Sequence, residues 1–221
     1  LIPTTLKEDL LRSGASVVGF ASVRDVLHSD IGHLNFAVSI GVDKNLNEKT
    51  VHLLAALQKK AAGYLRKGGY RHLCIPPDSD RTNGSFISKL YPLFNHKMAA
   101  TSAGLGWIGR NGLFINHKYG PRLSLATVLT DADLDIGTPV EFSRCGDCRL
   151  CLEYCPSGAI TGNEWSRYDP FVQLVRLDNC CSHKKNIKKL SGKPNCGLCI
   201  NICPYGRNGH KREFEYQEQT A

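Results

Sequence analysis

Nine of the ten cysteines of this chain lie after residue 140, and four of them stand in "CGDCRLCLEYCP", residues 145–156. Cys145, Cys148, Cys151 and Cys155, followed by Pro156, have the spacing C-x2-C-x2-C-x3-C-P. Three thiols two residues apart wrap one face of an iron-sulfur cubane from a single loop. A fourth, one helical turn further on, points away toward a second cubane, and the proline removes an N–H that would otherwise need a partner. A second copy, "CGLCINICP", supplies Cys196, Cys199 and Cys203 before Pro204, one cysteine short of the first. The missing ligand comes from upstream, where Cys180 and Cys181 are adjacent and spacing does not choose between them. By pseudo-symmetry Cys145, Cys148, Cys151 and Cys203 hold one 4Fe-4S cluster. Cys155, Cys196, Cys199 and one of Cys180 or Cys181 hold the other.

The competing uses of cysteine fit less well. Disulfide frameworks belong to small secreted chains, whereas this one has 221 residues. Structural zinc takes two C-x2-C pairs rather than three cysteines in register with two Cys-Pro endings. Cys74 sits in a strand-like run and reads as a buried structural thiol. The formal charge of +8 counts every cysteine as neutral. Eight thiolates around two cubane cores of charge +2 would leave about +4, so much of the basic excess balances bound metal. No apolar run approaches the roughly 20 residues of a membrane helix, so neither membrane insertion nor a membrane partner is expected, and a cytoplasmic location is.

The shift in cysteine content puts a domain boundary near Pro139, with residues 1–139 as one domain and 140–221 as the second. In the first, Thr5 and Glu8 read as a capping box on a short helix closed by Gly14. "SVVGFASV" and "NFAVSIGV" read as strands, the latter with Phe36, Val38 and Ile40 on one face. From Glu48 to Lys67 the apolar positions Val51, Leu54, Leu57, Ala61 and Leu65 recur at helical spacing until Gly68-Gly69. "YRHLCI" and "LSLATVLT" are further strands, and a helix is expected around residues 87–103. The mixed order predicts an α+β or α/β layer followed by a cluster-binding unit.

Residues 96–134, "HKMAATSAGLGWIGRNGLFINHKYGPRLSLATVLTDADL", resemble the segment before the cysteines in epoxyqueuosine reductases and their relatives. There an A-G-L-G-W-x-G-K-like run precedes a strand that ends in an L-T-D-like turn. "LDNCCS" is similar as well and aligns Cys180, rather than Cys181, with that family's isolated ligand. The resemblance spans about residues 10–205 and is strongest after His96. It implies an α/β N-terminal unit related to nitroreductases and to corrinoid-dependent reductive dehalogenases, with a C-terminal ferredoxin-like domain carrying two 4Fe-4S clusters. It also implies cobalamin, bound base-off near the first cluster. On that reading Gly104, Leu105, Gly106, Trp107, Gly109, Arg110 and Asn111 lie against the corrin or between corrin and cluster. Glycine there permits close backbone approach, and Trp107 offers a flat apolar surface. Without the resemblance, the same glycines read as a tight helix-to-strand connection.

The chain also departs from the family pattern. The family's proton-donating aspartate, in a D-S-A-P-like stretch, aligns with Leu90, beside Tyr91 and Pro92. Its C-terminal helical repeats, which help grip tRNA, have no counterpart after Cys203. Tyr91, His96, Lys97, Asp78 and Asp80 are nearby proton carriers, but none matches the family position, and Asp131 reads as a turn residue. In "HKKNIKK", Lys184, Lys185, Lys188 and Lys189 read as a solvated face or a docking site for an acidic electron donor such as ferredoxin or flavodoxin. A corrinoid protein or a small-molecule substrate is the expected partner, and tRNA is not. Two functional expectations follow. One is a corrinoid-dependent reductase, or an activator that returns another protein's corrinoid to Co(I). The other is a non-catalytic electron carrier without cobalamin.

Overall fold

The computed structural model describes residues 4–27, 31–44, 47–77, 94–169, 172–191 and 196–206. In chain order the elements are α1 (Thr4–Arg12), β1 (Val17–Ser22), a 3-10 turn (Arg24–Val26), β2 (Phe36–Asp43), α2 (Glu48–Lys67) and β3 (His72–Ile75). There follow α3 (His96–Ser102), β4 (Trp107–Ile108), β5 (Phe114–Ile115), β6 (Leu123–Thr130), α4 (Leu150–Glu153), α5 (Leu177–Ser191) and α6 (Leu198–Asn201). The architecture is mixed helix and sheet.

Four strands form one sheet in the order β1-β2-β6-β3, and every pairing is antiparallel. The β2 strand alternates large and small side chains, as expected, yet both of its faces are buried. Its large side chains, Val38, Ile40 and Val42, pack with Leu6 and Leu10 of α1 and with Leu54, Leu57, Ala61 and Leu65 of α2. The opposite face, with Ala21 and Ala37, is covered by Ala99 of α3, by Ala103 and by Phe94. Small residues let α3 lie close: a Cβ on Gly19 would come within 2.9 Å of Ala103 Cβ.

Helix α2 has the bounds its periodicity predicts. Asn47 caps it by accepting from Thr50 N at 3.0 Å, and Gly68 follows its last turn. The predicted capping box on α1 does not form, because Thr5 lies inside the helix, which begins at Thr4, and Thr5 Oγ1 pairs with Tyr64 Oη at 2.8 Å. Of the helix expected around residues 87–103 only His96–Ser102 is seen, as α3: Asn95 is an extended N-cap and residues 87–93 lie outside the described residues.

After β6 the chain returns beneath the α3 face. Gly137 N donates to Phe20 O at 2.9 Å and Val140 N to Thr101 O at 2.9 Å. These two bonds deliver Cys145 to the short β4-β5 hairpin, where Trp107, Ile108 and Ile115 form a third buried cluster with Val140, Cys145, Trp165 and Cys203.

Candidate metal centre

Both cysteine copies have a left-handed glycine directly after their first cysteine. Gly146 follows Cys145 with φ +53° and Gly197 follows Cys196 with φ +63°, a left-handed turn open to glycine and strained for other residues. In the first copy the single helical turn α4 begins after Cys148, with Arg149 at its N-cap, whereas in the second Gly197 itself caps α6, which contains Cys199; the two helical turns pack on each other. Cys155 follows α4 and Cys203 follows α6, so each Cys-Pro ending leaves its own loop and reaches toward the other.

Cys145, Cys148, Cys151 and Cys203 line one small cavity together with Arg110, Asn111 and Tyr205. Cys145 and Cys203 are buried, whereas Cys148 and Cys151 are half-buried. Burial, and then the neighbouring thiols of Cys145, Cys148, Cys203 and Cys199, push the Cys151 thiol up to about 12. The Cys199 thiol is raised by burial and next by Cys180 and Cys196, with a smaller contribution from Cys155. For Cys155 burial acts upward but is outweighed by bonds from the Ser157 hydroxyl and from the N–H groups of Ser157, Ala159 and Ile160, so its thiol lies below the ordinary value. The thiols thus fall into two neighbouring sets, Cys145/Cys148/Cys151/Cys203 and Cys155/Cys180/Cys196/Cys199.

Cys180 is half-buried, on the same face of α5 as His183 and Ile187, whereas Cys181 is exposed. Among the described residues no disulfide joins any of the cysteines. Among the described residues no three Cys, His, Asp or Glu side chains close around one metal ion. Four thiols spread around a cavity match a multi-iron core better than the tight shell of a single zinc at about 2.3 Å.

The run from Gly104 to Asn111 is anchored to both loops. Arg110 donates from Nη1 to Gly162 O at 2.6 Å and from Nη2 to Gly146 O at 2.9 Å, and it also pairs with Glu164. Asn111 Nδ2 donates to Cys199 O at 3.2 Å. The expected flat surface at Trp107 is not offered outward. Its ring is fully buried, edge-on to His117 and to Tyr205 at centroid distances of 4.8 Å each. The close approach expected of the glycines is made to protein: a Cβ on Gly106 would stand 2.1 Å from Ile115 O, and one on Gly109 2.3 Å from Ile115 Cδ1. Only Gly104 and Leu105 of this run are not buried.

The proton carriers weighed in sequence are committed elsewhere. His96 is buried, with Nδ1 2.9 Å from Thr127 Oγ1 and Nε2 2.8 Å from Pro76 O. Since a carbonyl only accepts, Nε2 carries the proton. Lys97 Nζ donates to Gly112 O at 2.6 Å. Asp131 accepts from Arg71 N at 2.8 Å and from Arg71 Nε at 2.7 Å; the Arg71 side chain holds its carboxyl below the ordinary value. Asp78, Asp80, Leu90, Tyr91 and Pro92 lie outside the described residues.

Sequence reasoning missed His117, whose ring lies 6.0 Å from Tyr205, and Tyr205 itself, whose hydroxyl donates to Arg144 O at 2.8 Å. Burial, and then Arg144, lower the affinity of His117 for a proton. Tyr205 had a usable signal, since it directly follows Cys203-Pro204. His117 had none.

Residues 144–206 match the family model of the 4Fe-4S double cluster binding domain. This part of the chain is similar to a double-cluster domain. Epoxyqueuosine reductase of Lactococcus garvieae (strain Lg2) is 28% identical over 123 residues, which cover 50% of this chain and 32% of that protein. The enzyme of Synechococcus sp. (strain RCC307) is 35% identical over 118 residues, or 51% of this chain and 34% of that one. The matched stretch thus spans about a third of these relatives. Among solved structures, epoxyqueuosine reductase from Streptococcus thermophilus superposes with TM-score 0.60 and 19% identity, over 92% of this chain and 65% of that one. A reductive dehalogenase described for B12-dependent dehalogenation gives 0.61 and 18%, over 89% and 30%. An epoxyqueuosine reductase bound to an epoxyqueuosine-modified tRNA-Tyr stem loop gives 0.62 and 18%, over 92% and 65%. The chain shares this fold, and over about half of its length its sequence is similar to that of epoxyqueuosine reductases.

The last of these structures corrects one expectation. Setting tRNA aside rested on an expected lack of the C-terminal repeats and on reading the lysines as a solvated face. A protein of the same fold holds a tRNA stem loop, so that exclusion does not stand. Among the described residues no helix is long and apolar enough to cross a membrane.

Proposed function

We propose that this chain is the electron-delivering and cofactor-binding core of a corrinoid-dependent reductase of the epoxyqueuosine type. In this reading Cys145, Cys148, Cys151 and Cys203 hold the first cluster, and Cys155, Cys180, Cys196 and Cys199 hold the second. The N-terminal domain, residues 1–139, carries the corrinoid face, and residues 140–221 carry the clusters. The observation that supports it best is the run from Gly104 to Asn111. One end is anchored to both cysteine loops through Arg110 and Asn111, and the other end, Gly104-Leu105, reaches the surface. A single stretch of backbone therefore runs from the cysteine sets to the exposed Gly104, and in this reading the corrinoid lies against that end. A corrinoid bound there supplies low-valent cobalt for the bond chemistry, while the chain positions it and excludes water.

The substrate class in this reading is an epoxyqueuosine-bearing tRNA stem loop. Lys184, Lys185, Lys188 and Lys189 are all exposed on α5, which carries Cys180 on its inner face, and they suit phosphate contacts next to the second thiol set.

A second reading, an electron carrier without corrinoid, is favoured by Trp107, whose ring and neighbouring glycines are fully occupied by protein. Anaerobic titration of the iron-loaded protein with cob(II)alamin separates the two. A base-off Co(II) EPR signal, together with reduction of an epoxyqueuosine stem loop, supports the reductase. An unperturbed cobalamin spectrum leaves the carrier.

A further inference from the structure

Among the described residues five buried side-chain nitrogen or oxygen atoms lack a hydrogen-bond partner: Ser39 Oγ, Trp107 Nε1, Arg110 Nε, Ser143 Oγ and His183 Nε2. Two of the five belong to the run that abuts the first thiol set. Arg110 is the more telling. Its side chain is 9% exposed, and both terminal nitrogens are committed to Gly162 O, Gly146 O and the Glu164 carboxylate. Those three acceptors fix the plane of the guanidinium and leave Nε–H over. A buried N–H without an acceptor is destabilising, because it has given up water for nothing. Arg110 lines the cavity formed by Cys145, Cys148, Cys151 and Cys203. Trp107, the owner of the second orphan N–H, shares a buried cluster with Cys145 and Cys203.

We propose that Arg110 is a potential-setting residue for the first cluster, its clamped guanidinium placing a fixed positive charge and an Nε–H donor against cluster sulfur. This rests on the reading that the first thiol set holds a cluster. The electrostatic logic is direct. Adding one electron takes the cluster core from +2 to +1 and makes the whole site more negative. A nearby cation and an N–H donor favour that reduced state, and both act strongly in a buried site of low dielectric. The clamp matters because a free arginine would swing its charge into water. Arg110 is held by carbonyls on both sides of the loop, from Gly146 beside Cys145 and from Gly162 beyond α4. A purely structural role, pinning the Cys145–Cys148 turn, would account for the same bonds, and a reduction potential distinguishes the two.

The test is an anaerobic redox titration, followed by EPR, of iron-reconstituted wild-type, Arg110→Gln and Glu164→Gln proteins. The first cluster is assigned as the wave that moves in Cys148→Ser. In Arg110→Gln the ratio of reduced to oxidised first cluster at a fixed potential should fall about tenfold, equivalent to about 59 mV for a one-electron couple. Glu164→Gln removes a competing, half-exposed carboxylate, and the same ratio should rise by a smaller, solvent-screened factor. Full iron content with an unmoved potential in Arg110→Gln overturns the proposal. Where Arg110→Gln does not retain iron, Glu164→Gln decides: a rise supports the proposal, and no rise overturns it. Wild-type protein that takes up no iron sinks the underlying cluster reading instead, so the two failures are told apart.

Discussion

Replacing Gly106 by alanine tests whether the glycines before the double-cluster domain serve protein packing. The new Cβ would lie 2.1 Å from Ile115 O and 2.9 Å from Phe114 Cζ, well inside van der Waals contact. The first of these is a backbone atom and has no rotamer by which to escape. Gly106 immediately precedes β4, and Trp107 pairs with Ile115 of β5, so relief requires opening the hairpin. That movement disturbs the cluster of Trp107, Ile115, Cys145 and Cys203. Overpacking costs about 1–3 kcal/mol, and a clash with backbone belongs at the upper end, about 3 kcal/mol. For a chain of this length that is a fall of about 6–12 °C in Tm. Gly63, inside α2 with no heavy atom within 4 Å of a built Cβ, is the control. There alanine gains about 0.8–1 kcal/mol of helix propensity and should raise Tm by about 2–4 °C. The assay is anaerobic thermal unfolding of the iron-loaded proteins by circular dichroism, with iron content measured alongside. A Gly106→Ala protein that melts with wild type and keeps its iron would refute the packing account. If it had also lost corrinoid affinity, the glycine would return to cofactor contact.

Other consequences are equally concrete. Cys180→Ser should lower iron from about eight toward about four per chain, while Cys181→Ser should leave it unchanged; equal loss from both would contradict the assignment, which rests on the half-buried Cys180 beside the exposed Cys181. Gln58 Nε2 donates to Ile75 O at 2.6 Å and to Thr127 O at 2.8 Å, joining α2 to two strands. Gln58→Leu removes both buried bonds and should cost about 2 kcal/mol, seen as a Tm drop of at least about 4 °C. Asp131 has a lowered proton affinity because of Arg71, so its contribution to stability is present above its ordinary value of 3.8 and fades as pH falls through the lower folded value. Since Arg71 is well exposed, the contribution is at most about 1 kcal/mol. Asp131→Asn should therefore narrow the Tm difference between pH 6 and about pH 3, and an unchanged profile would argue against the pair.

The parts legible in the sequence were those written in local period or spacing. Helix α2 was readable because Leu54, Leu57, Ala61 and Leu65 recur along 20 residues and Gly68 follows them. The spacing C-x2-C-x2-C-x3-C-P was readable as a double-cluster pattern, and residues 144–206 match the model of such a domain. The β4-β5 hairpin was not, since two-residue strands are too short to show a period. Trp107 misled for a physical reason: a large aromatic beside glycines suits a cofactor face and a buried core equally, and only tertiary contacts with His117 and Tyr205 decide. Thr5 misled similarly, its hydroxyl taken by Tyr64 from 59 positions away rather than by its own helix end. Arg110 was noticed as part of a motif, yet its clamp of Gly146, Gly162 and Glu164 depends on residues up to 54 positions away, which no local pattern records.

The most direct check on the two-set arrangement is anaerobic iron and sulfide quantification on the reconstituted protein, with EPR of the fully reduced state. The account predicts about eight irons and eight sulfides per chain, and a spectrum split by interaction between two neighbouring paramagnetic clusters. About four irons with a single isolated signal, or zinc in place of iron, would contradict it.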